Sequence, residues 1–348
     1  MTTSVTRVFN PVKAVFVFFA LGLAAAAAVP LSAQAAEKAG EKTAVVIRVD
    51  FIIGGKHAPW FVALDKGFYA KRGLSVKIDA GAGSADTVRA IAAGIADVGF
   101  ADISTAIVAR SRGTPVQAVA QLGYVPATIL WRDDSGIRNL KDLEGKSWAI
   151  SPGQAQWFLM PAYCRINGID FKAIKIQETS PALQPAALVA KKADFIVMFR
   201  ASNDEVAERA AAKQGMKLTR VTMKDTGLDI YGSSLIVRDE DLKRRAEVIR
   251  GYVEATMEGL RYARENLEES LRILLKYKPE LDKELTRVQL KNAVEEVFIP
   301  PESLQYGFGY MRPDIVEKTV KITNEFFDVA RKVTPAEVYT NQFIKKVK

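Results

Sequence analysis

Apolar positions along the chain follow two spacings, one typical of strands and the other of helices. The run 74–78 alternates apolar with polar residues and the run 96–100 is largely apolar, so both predict strands. Between them, Val88, Ile91 and Ile95 recur at helical spacing and are expected to face the core. Strands that alternate with helices in this order predict a mostly parallel sheet.

A turn at Gly83 and Ser84 precedes this helix and indicates where a solute could bind. Ser84 is the predicted N-cap, and Gly94 is placed to end the helix. Phe100 and Asp102 follow the next strand. Because small solutes bind at the edges of open α/β sheets, where strands end and helices begin, we expect these residues near a ligand.

A second series of strands and helices follows the first. Strands are predicted at 128–131, 147–150 and 194–198, with a helix at 155–167 between the last two. Long helices are predicted from about 240 to the end of the chain. Two such series predict an α/β protein with two lobes.

The first residues have the pattern of a secretory signal peptide. Arg7 and Lys13 supply positive charge, 15–29 is a nearly unbroken apolar run, and 33–35 has the small-x-small pattern of a cleavage site. The alternative is a transmembrane anchor, but the run is short for the roughly 20 residues that span a bilayer. The sequence therefore predicts that 1–36 is removed and that the mature protein is soluble and exported.

Composition narrows the classes of function. The 348 residues are 49% hydrophobic and 26% charged, which suits a globular protein with a core. The net charge is +9, but Lys and Arg alternate with Asp and Glu through 238–296, which indicates a solvated surface and argues against nucleic-acid binding. With one cysteine, Cys164, and one histidine, His57, a disulfide framework, a metal site or a Cys/His catalytic pair is not expected. We expect no cofactor.

Several short motifs, in this order after a signal peptide, carry a resemblance to a known group of proteins. They are 58–63 with 65–69, 94–99, 140–146, 167–169 and 193–194. The chain resembles the periplasmic solute-binding proteins of nitrate, sulfonate, taurine and thiamine-precursor ABC importers, the SsuA/THI5-like or NMT1-like group.

The resemblance implies a fold and a set of partners. The fold is the type II periplasmic-binding-protein fold, with two α/β lobes joined by two crossovers and a ligand cleft between them. The first lobe would comprise 44–125 plus 232–348, and the second 126–231. The implied partners are a small solute and the permease and ATPase of an importer, and the protein is expected to be a periplasmic monomer without catalytic activity.

On this resemblance, loops after strands and the starts of helices should line the cleft. Trp60 would stack on the ligand, the N–H groups near Ser84 would receive an anion or carbonyl, and Arg200 would pair with a carboxylate or sulfonate. The full set of candidates is His57, Trp60, Gly83, Ser84, Phe100 and Asp102 in the first lobe, Ser151, Gln154, Trp157, Phe199 and Arg200 with the neighbouring Asn203 in the second, and Tyr231 at the hinge.

These candidates also have purely structural alternatives. Trp60 and Trp157 would then be core residues, Asp102 would cap the next helix, which is the favoured interpretation, and Arg200 would be a solvated surface residue. The remaining alternatives are a surface position for His57, a plain cap for Ser84 and packing for Tyr231.

Three functions remain open on the sequence. The favoured one is delivery of a planar, aromatic or heteroaromatic solute, possibly anionic, to an importer; nitrate, taurine or an alkylsulfonate is the alternative ligand. The second function is pyrimidine synthesis, as in the THI5-like enzymes, but those carry a cysteine-rich run with an active histidine, whereas Cys164 is alone here. The third is a ligand sensor.

Overall fold

Two five-stranded sheets organise the computed structural model, which describes residues 42–345. The predicted signal peptide, 1–36, lies outside the described residues. The strands are β1 Thr43–Arg48, β2 Leu74–Asp79, β3 Val98–Asp102, β4 Val116–Gln121, β5 Ala127–Arg132, β6 Ser147–Ile150, β7 Lys175–Glu178, β8 Phe195–Phe199, β9 Leu218–Thr222 and β10 Ser233–Arg238.

Helices flank both sheets and make up most of the C-terminal part. They are α1 Ala58–Asp65, α2 Ser84–Ala92, α3 Ile103–Ser111, α4 Ala155–Ile166, α5 Gln184–Val189, α6 Asp204–Ala212, α7 Asp241–Arg244, α8 Ala246–Glu265, α9 Leu267–Tyr277, α10 Lys283–Asn292, α11 Pro301–Tyr306, α12 Pro313–Phe326 and α13 Pro335–Val338. No helix within 42–345 combines the length and the apolar composition needed to cross a membrane.

The two sheets have the same arrangement of strands. The first has the order β2-β1-β3-β10-β4 and the second β7-β6-β8-β5-β9. In each, two strand pairs are parallel and two are antiparallel. Four of the five strands in each sheet therefore run in the same direction, which confirms the prediction of a mostly parallel sheet, and β10 and β5 each run against both of their neighbours. The α/β fold with two lobes is confirmed.

Two connections join the sheets, 122–126 between β4 and β5 and 223–232 between β9 and β10. They lie side by side, since Tyr124 and Tyr231 form an antiparallel bridge and their rings are 5.3 Å apart. The predicted lobe boundaries fall within these connections, and we propose that the lobes move relative to each other there.

Each sheet is covered by its own apolar core. In the first lobe α1 packs against α8, and Trp60 is buried between them and the sheet. The approach is close, because a Cβ atom on Gly259 of α8 would lie 2.4 Å from Pro59 O. In the second lobe the rings of Trp148 and Phe195 stack with centroids 6.3 Å apart.

The predicted helix after the Gly83 turn differs from the structure at both ends. Gly83, with φ of 128°, is the N-cap residue, and Ser84 is the first residue of α2 instead of its cap. Ile95 was expected in the core but is 67% exposed. The reason is that α2 ends at Ala92 and Gly94 adopts a left-handed φ of 70°, which turns the chain before Ile95 is reached.

Candidate ligand cleft

A small polar chamber lies between the two lobes, and we call it the inner chamber. Its free space is about 20 Å³, room for about one water molecule. The first lobe contributes Asp50, Phe51, Lys56, Gly83 and Ser84, and the second contributes Gln154, Ala155, Gln156, Phe199, Ser202 and Asn203. Five of these, Gly83, Ser84, Gln154, Phe199 and Asn203, are residues that the sequence analysis proposed.

A buried ion pair forms the wall on the side of the first lobe. Asp50 follows β1, and its Oδ2 accepts a hydrogen bond of 2.7 Å from the Lys56 ammonium. Both side chains are at most 7% exposed. Burial opposes ionisation of Asp50, but Lys56 and His57 together hold its pKa below the usual value. The opposite charges of the two side chains therefore cancel, and the pair as a whole is neutral.

His57 lies behind this pair and is fully buried. The Gly54 N–H donates to His57 Nδ1 at 3.1 Å, so the proton is on Nε2, which donates to Asp50 Oδ1 at 3.1 Å. Burial lowers the pKa of His57, since the charged imidazolium would lose its hydration. The imidazole is thus neutral, with both of its nitrogen atoms in hydrogen bonds to the protein.

The start of α2 reaches across to the second lobe. A Cβ atom on Gly83 would lie 2.7 Å from Gly153 O, and the Ala85 N–H donates to the same carbonyl at 3.3 Å. The N–H group next to Ser84 is therefore already bonded in this arrangement. Ser84 Oγ accepts from the Asp102 N–H at 3.1 Å, which ties the helix start to the end of β3.

Asp102 caps α3, as the favoured interpretation had it. Its Oδ1 accepts from the Thr105 N–H at 3.1 Å. Its Oδ2 is buried and has no hydrogen-bond partner among residues 42–345. Burial raises the pKa of Asp102 to about 7, and the charge of nearby Asp50 adds to the shift.

The wall on the side of the second lobe is made of neutral amides. Gln154 Oε1 accepts from the Ser151 N–H at 3.2 Å and from Gln184 Nε2 at 2.6 Å. Asn203 Oδ1 accepts from the Phe199 N–H at 3.2 Å. Both acceptor oxygens are occupied, so the side-chain NH2 groups are what the two amides can offer to a ligand.

The other proposed contacts lie outside the inner chamber. Trp60 and Phe100 are fully buried in the first core with ring centroids 4.7 Å apart, so neither face is open to a ligand in this arrangement. Tyr231 is buried at the hinge. Trp157 is half-buried at the surface of the second core, with its ring 6.5 Å from that of Trp148.

Arg200 bridges the lobes instead of lining the inner chamber. Its Nε donates to Glu296 Oε2 of the first lobe at 2.9 Å, and its Nη1 donates to Glu205 Oε1 at 3.2 Å. The alternative of a solvated arginine is also inaccurate, since the side chain is 23% exposed. A guanidinium held by two carboxylates is a poor partner for a third anion unless those bonds break.

Helix α10 adds further ties between the lobes. Gln289 accepts from the Gly55 N–H at 2.9 Å and donates to the Ser202 carbonyl. Asn292 Nδ2 donates to Glu205 Oε1 at 2.7 Å. The bonds from Gln289 to Ser202 and from Asn292 to Glu205 cross the cleft, as does the Gly83–Gly153 contact, so the structure has the lobes closed on each other.

Asp50 and Lys56 were missed by the sequence analysis. They belong to the same loop after β1 that contains His57, so their position at a strand end could have drawn attention to them. What the sequence could not give was their pairing. It depends on the short 3-10 helix Gly55–His57, which returns Lys56 to Asp50.

The described residues include neither an activated cysteine nor a metal site. Cys164 is buried, and burial raises the pKa of its thiol to about 12, so the nucleophilic thiolate is disfavoured. Within 42–345 no group of three or more His, Cys, Asp or Glu residues could hold a metal ion.

Comparisons with known proteins give the family of the chain and several distant relatives. The family model described as NMT1/THI5 like matches residues 55–270. The riboflavin-binding protein RibY of Chloroflexus aurantiacus is 24% identical over 91% of this chain and 91% of its own length. The 4-amino-5-hydroxymethyl-2-methylpyrimidine phosphate synthase of Legionella pneumophila is 21% identical over 87% of this chain and 93% of its own.

The fold is that of solved binding proteins. The alkanesulfonate-binding protein SsuA from Xanthomonas axonopodis pv. citri, bound to MOPS, aligns with a TM-score of 0.68 at 15% identity. The alignment covers 87% of this chain and 99% of that one. Both the fold class and the resemblance inferred from the short sequence motifs are confirmed.

Proposed function

Since the chain belongs to the NMT1/THI5-like family, we propose that it is the exported solute-binding component of an ABC importer and closes its two lobes on a small planar organic solute. The observation that carries this proposal is the inner chamber, which both lobes line with polar groups and which lies between sheets joined by two adjacent connections. Such a cleft can enclose a solute by a hinge movement at the connections.

Two observations support a planar solute over a bare inorganic anion. The aromatic side chains of Phe51 and Phe199 lie where the two lobes face each other, and flat rings pack well against aromatic faces. The names of two relatives also refer to flat heterocycles, a flavin and a pyrimidine. Nitrate, taurine or an alkylsulfonate is the alternative, which the likeness to SsuA favours.

Mass spectrometry of the protein from the exported fraction tests the proposal. We expect a mature chain that begins at Ala36 or Glu37, and under native conditions an additional mass from a carried organic solute. An intact Met1 in that fraction would contradict export. A chain that carries no solute, and whose melting temperature no member of a broad panel of small solutes raises, would contradict binding.

A pair of glycine variants tests closure. Gly83 and Gly113 both have positive φ values, 128° and 94°, so alanine strains the backbone at both. Only at Gly83 would the new Cβ atom meet the opposite lobe, whereas Gly113 faces open space. We expect Gly83→Ala to lose the carried solute and Gly113→Ala to keep it. Equal retention by both variants would mean that binding does not require closure.

The second candidate function is pyrimidine synthesis, which the name of the Legionella relative supports. Two features of the site favour binding without chemistry. His57 has both ring nitrogens bonded inside the protein, and Cys164 is a buried thiol in the core of the second lobe. Formation of a pyrimidine product by the purified chain would establish the enzyme instead.

A further inference from the structure

A second cavity continues the inner chamber toward the surface, and we call it the outer groove. Its volume is about 240 Å³. It shares Phe51, Lys56, Ser202 and Asn203 with the inner chamber. The two cavities are therefore adjoining parts of one cleft.

The outer groove is apolar and is built from both lobes. Apolar side chains come from the loop after β1, from the turn before α5 and from the region before α10; they include Ile52, Ile53, Pro181, Pro185, Leu281 and Leu285. Ile52 is 57% exposed. A large apolar side chain left in water beside a cleft that both lobes line with apolar residues is typical of a binding site.

The charges along the whole cleft cancel. In the inner chamber the charged lining residues are Asp50 and Lys56, which pair with each other. In the outer groove the additional charge is Asp282, which pairs with Arg209 at 2.6 Å. Among the described lining residues there is thus no cation free to neutralise an anionic ligand, and burying an unpaired charge is costly.

We propose, on the basis of the proposed function, that the cleft binds an uncharged solute with two parts. A small polar head, carrying both a hydrogen-bond donor and an acceptor, lies in the inner chamber against the Asp50–Lys56 pair. A flat apolar body fills the outer groove. We place the body in the groove because the groove is the larger cavity, about 240 Å³ against about 20 Å³ for the chamber, and because its lining is mostly apolar.

The head group follows from the chemistry of the lining. Asp50 offers an acceptor and Lys56 a donor, and the amide NH2 groups of Gln154 and Asn203 add further donors. An amide, a lactam or the imide edge of a heterocycle presents a donor next to an acceptor and matches this wall. A carboxylate or sulfonate would meet Lys56 but would also face the carboxylate of Asp50.

Matched probes that differ only in the head test the inference on the unaltered protein. Calorimetry with 2-naphthamide, 2-naphthoate and naphthalene-2-sulfonate compares one body with neutral and anionic heads. We expect 2-naphthamide to bind at least about tenfold more tightly than either anion. Equal or tighter binding of an anion, or no binding of 2-naphthamide at millimolar concentration, overturns the inference.

The same data separate this inference from the proposed function. If an anionic solute binds and 2-naphthamide does not, the protein is still a solute-binding protein but its solute class is wrong. If the protein carries no solute and binds none, both proposals fail.

Two variants locate the parts of the solute. Asp50→Asn should leave the Lys56 ammonium without a counter-charge. The preference should then reverse, so that 2-naphthoate binds more tightly than 2-naphthamide. Circular dichroism must first show that the variant is folded; if it is not, the comparison of probes on the unaltered protein decides alone.

Ile52→Ser should weaken the binding of 2-naphthamide about three- to tenfold without changing the binding of acetamide, which has the head alone. Ile95→Ser, at an isoleucine that is 67% exposed away from the cleft, is the matched control. Equal effects of the two serine variants would remove the outer groove from the site.

Discussion

The two lobes share one strand order but use charge in opposite ways at the cleft. In the first lobe the loop after β1 contains the buried Asp50 and Lys56, and β3 ends at the buried Asp102. In the second lobe the loops after the corresponding strands, β6 and β8, place Gln154 and Asn203 at the cleft. The charges on either side of Asn203 pair away from the chamber: Arg200 bonds to Glu296 and Glu205, and Asp204 bonds to Arg220.

The charged side of the cleft, in the first lobe, and the neutral amide side, in the second, therefore have different roles in closure. Buried charges need fixed partners, since moving them between water and protein is costly, so the charged wall must stay assembled in the open and closed states. Neutral amides lose less when they are desolvated. The second lobe can therefore close over a solute while the first lobe provides a preorganised surface for its polar head.

Removal of Asp50 should have the largest effect, because it leaves Lys56 as a buried cation without a partner. We expect Asp50→Ala to lower the free energy of unfolding by about 3–5 kcal/mol, measured by urea denaturation. Asp86→Ala is the matched control, since Asp86 pairs with Arg48 in the same lobe but both side chains are more than a quarter exposed; its loss should be about 0–1 kcal/mol. Equal losses of stability in the two variants would mean that burial of the Asp50–Lys56 pair does not increase the cost of breaking it.

The carboxyl group of Asp102 should make the stability of the first lobe depend on pH. Burial raises its folded-state pKa to about 7 from a reference value of 3.8, so the folded protein holds this proton more tightly than the unfolded chain. The resulting stabilisation is complete below pH 3.8 and is lost as the pH rises through 7. Between pH 5 and pH 8, the stability of the wild type relative to Asp102→Asn should fall by roughly 2–3 kcal/mol.

Asp282 supplies the control for this pH dependence. It also caps a helix, with Oδ1 accepting from the Leu285 N–H at 2.9 Å, but Arg209 and that N–H lower its pKa to about 2. Its stabilisation is present above its unfolded pKa and is lost as the pH falls through 2, so the difference between the wild type and Asp282→Asn should be flat from pH 5 to pH 8. A flat profile for Asp102→Asn as well would contradict the raised pKa of Asp102.

The parts of the site that the sequence predicted depend on local signals. Gly83, Ser84 and Gln154 stand at helix starts and Phe199 at a strand end, and these positions can be inferred from a few neighbouring residues. The pattern also predicted the α/β fold, because apolar strand and helix spacings alternate over the whole chain.

The errors arise where distant segments determine the environment. Trp60 is next to the loop of the cleft, yet α8, which is about 200 residues later in the sequence, packs over α1 and the ring is buried. Arg200 follows a strand end as a ligand residue would, but Glu296 of the other lobe holds it. Burial and ion pairing of this kind cannot be inferred from local spacing.

The smallest effect is expected for Arg200, and it distinguishes most directly between the prediction from sequence and the closed structure. Arg200 is bonded to Glu296 and to the buried Glu205, which keeps its hydrogen bond from Asn292. We therefore expect Arg200→Gln to lower the free energy of unfolding by about 1–2 kcal/mol. It should change the affinity for 2-naphthamide less than about twofold. Asn203→Ala, in the same loop but in the wall of the inner chamber, should weaken that probe by about fivefold or more. If calorimetry instead shows the larger loss for Arg200→Gln, the arginine contacts the solute after all, and charge in the second lobe does serve the cleft.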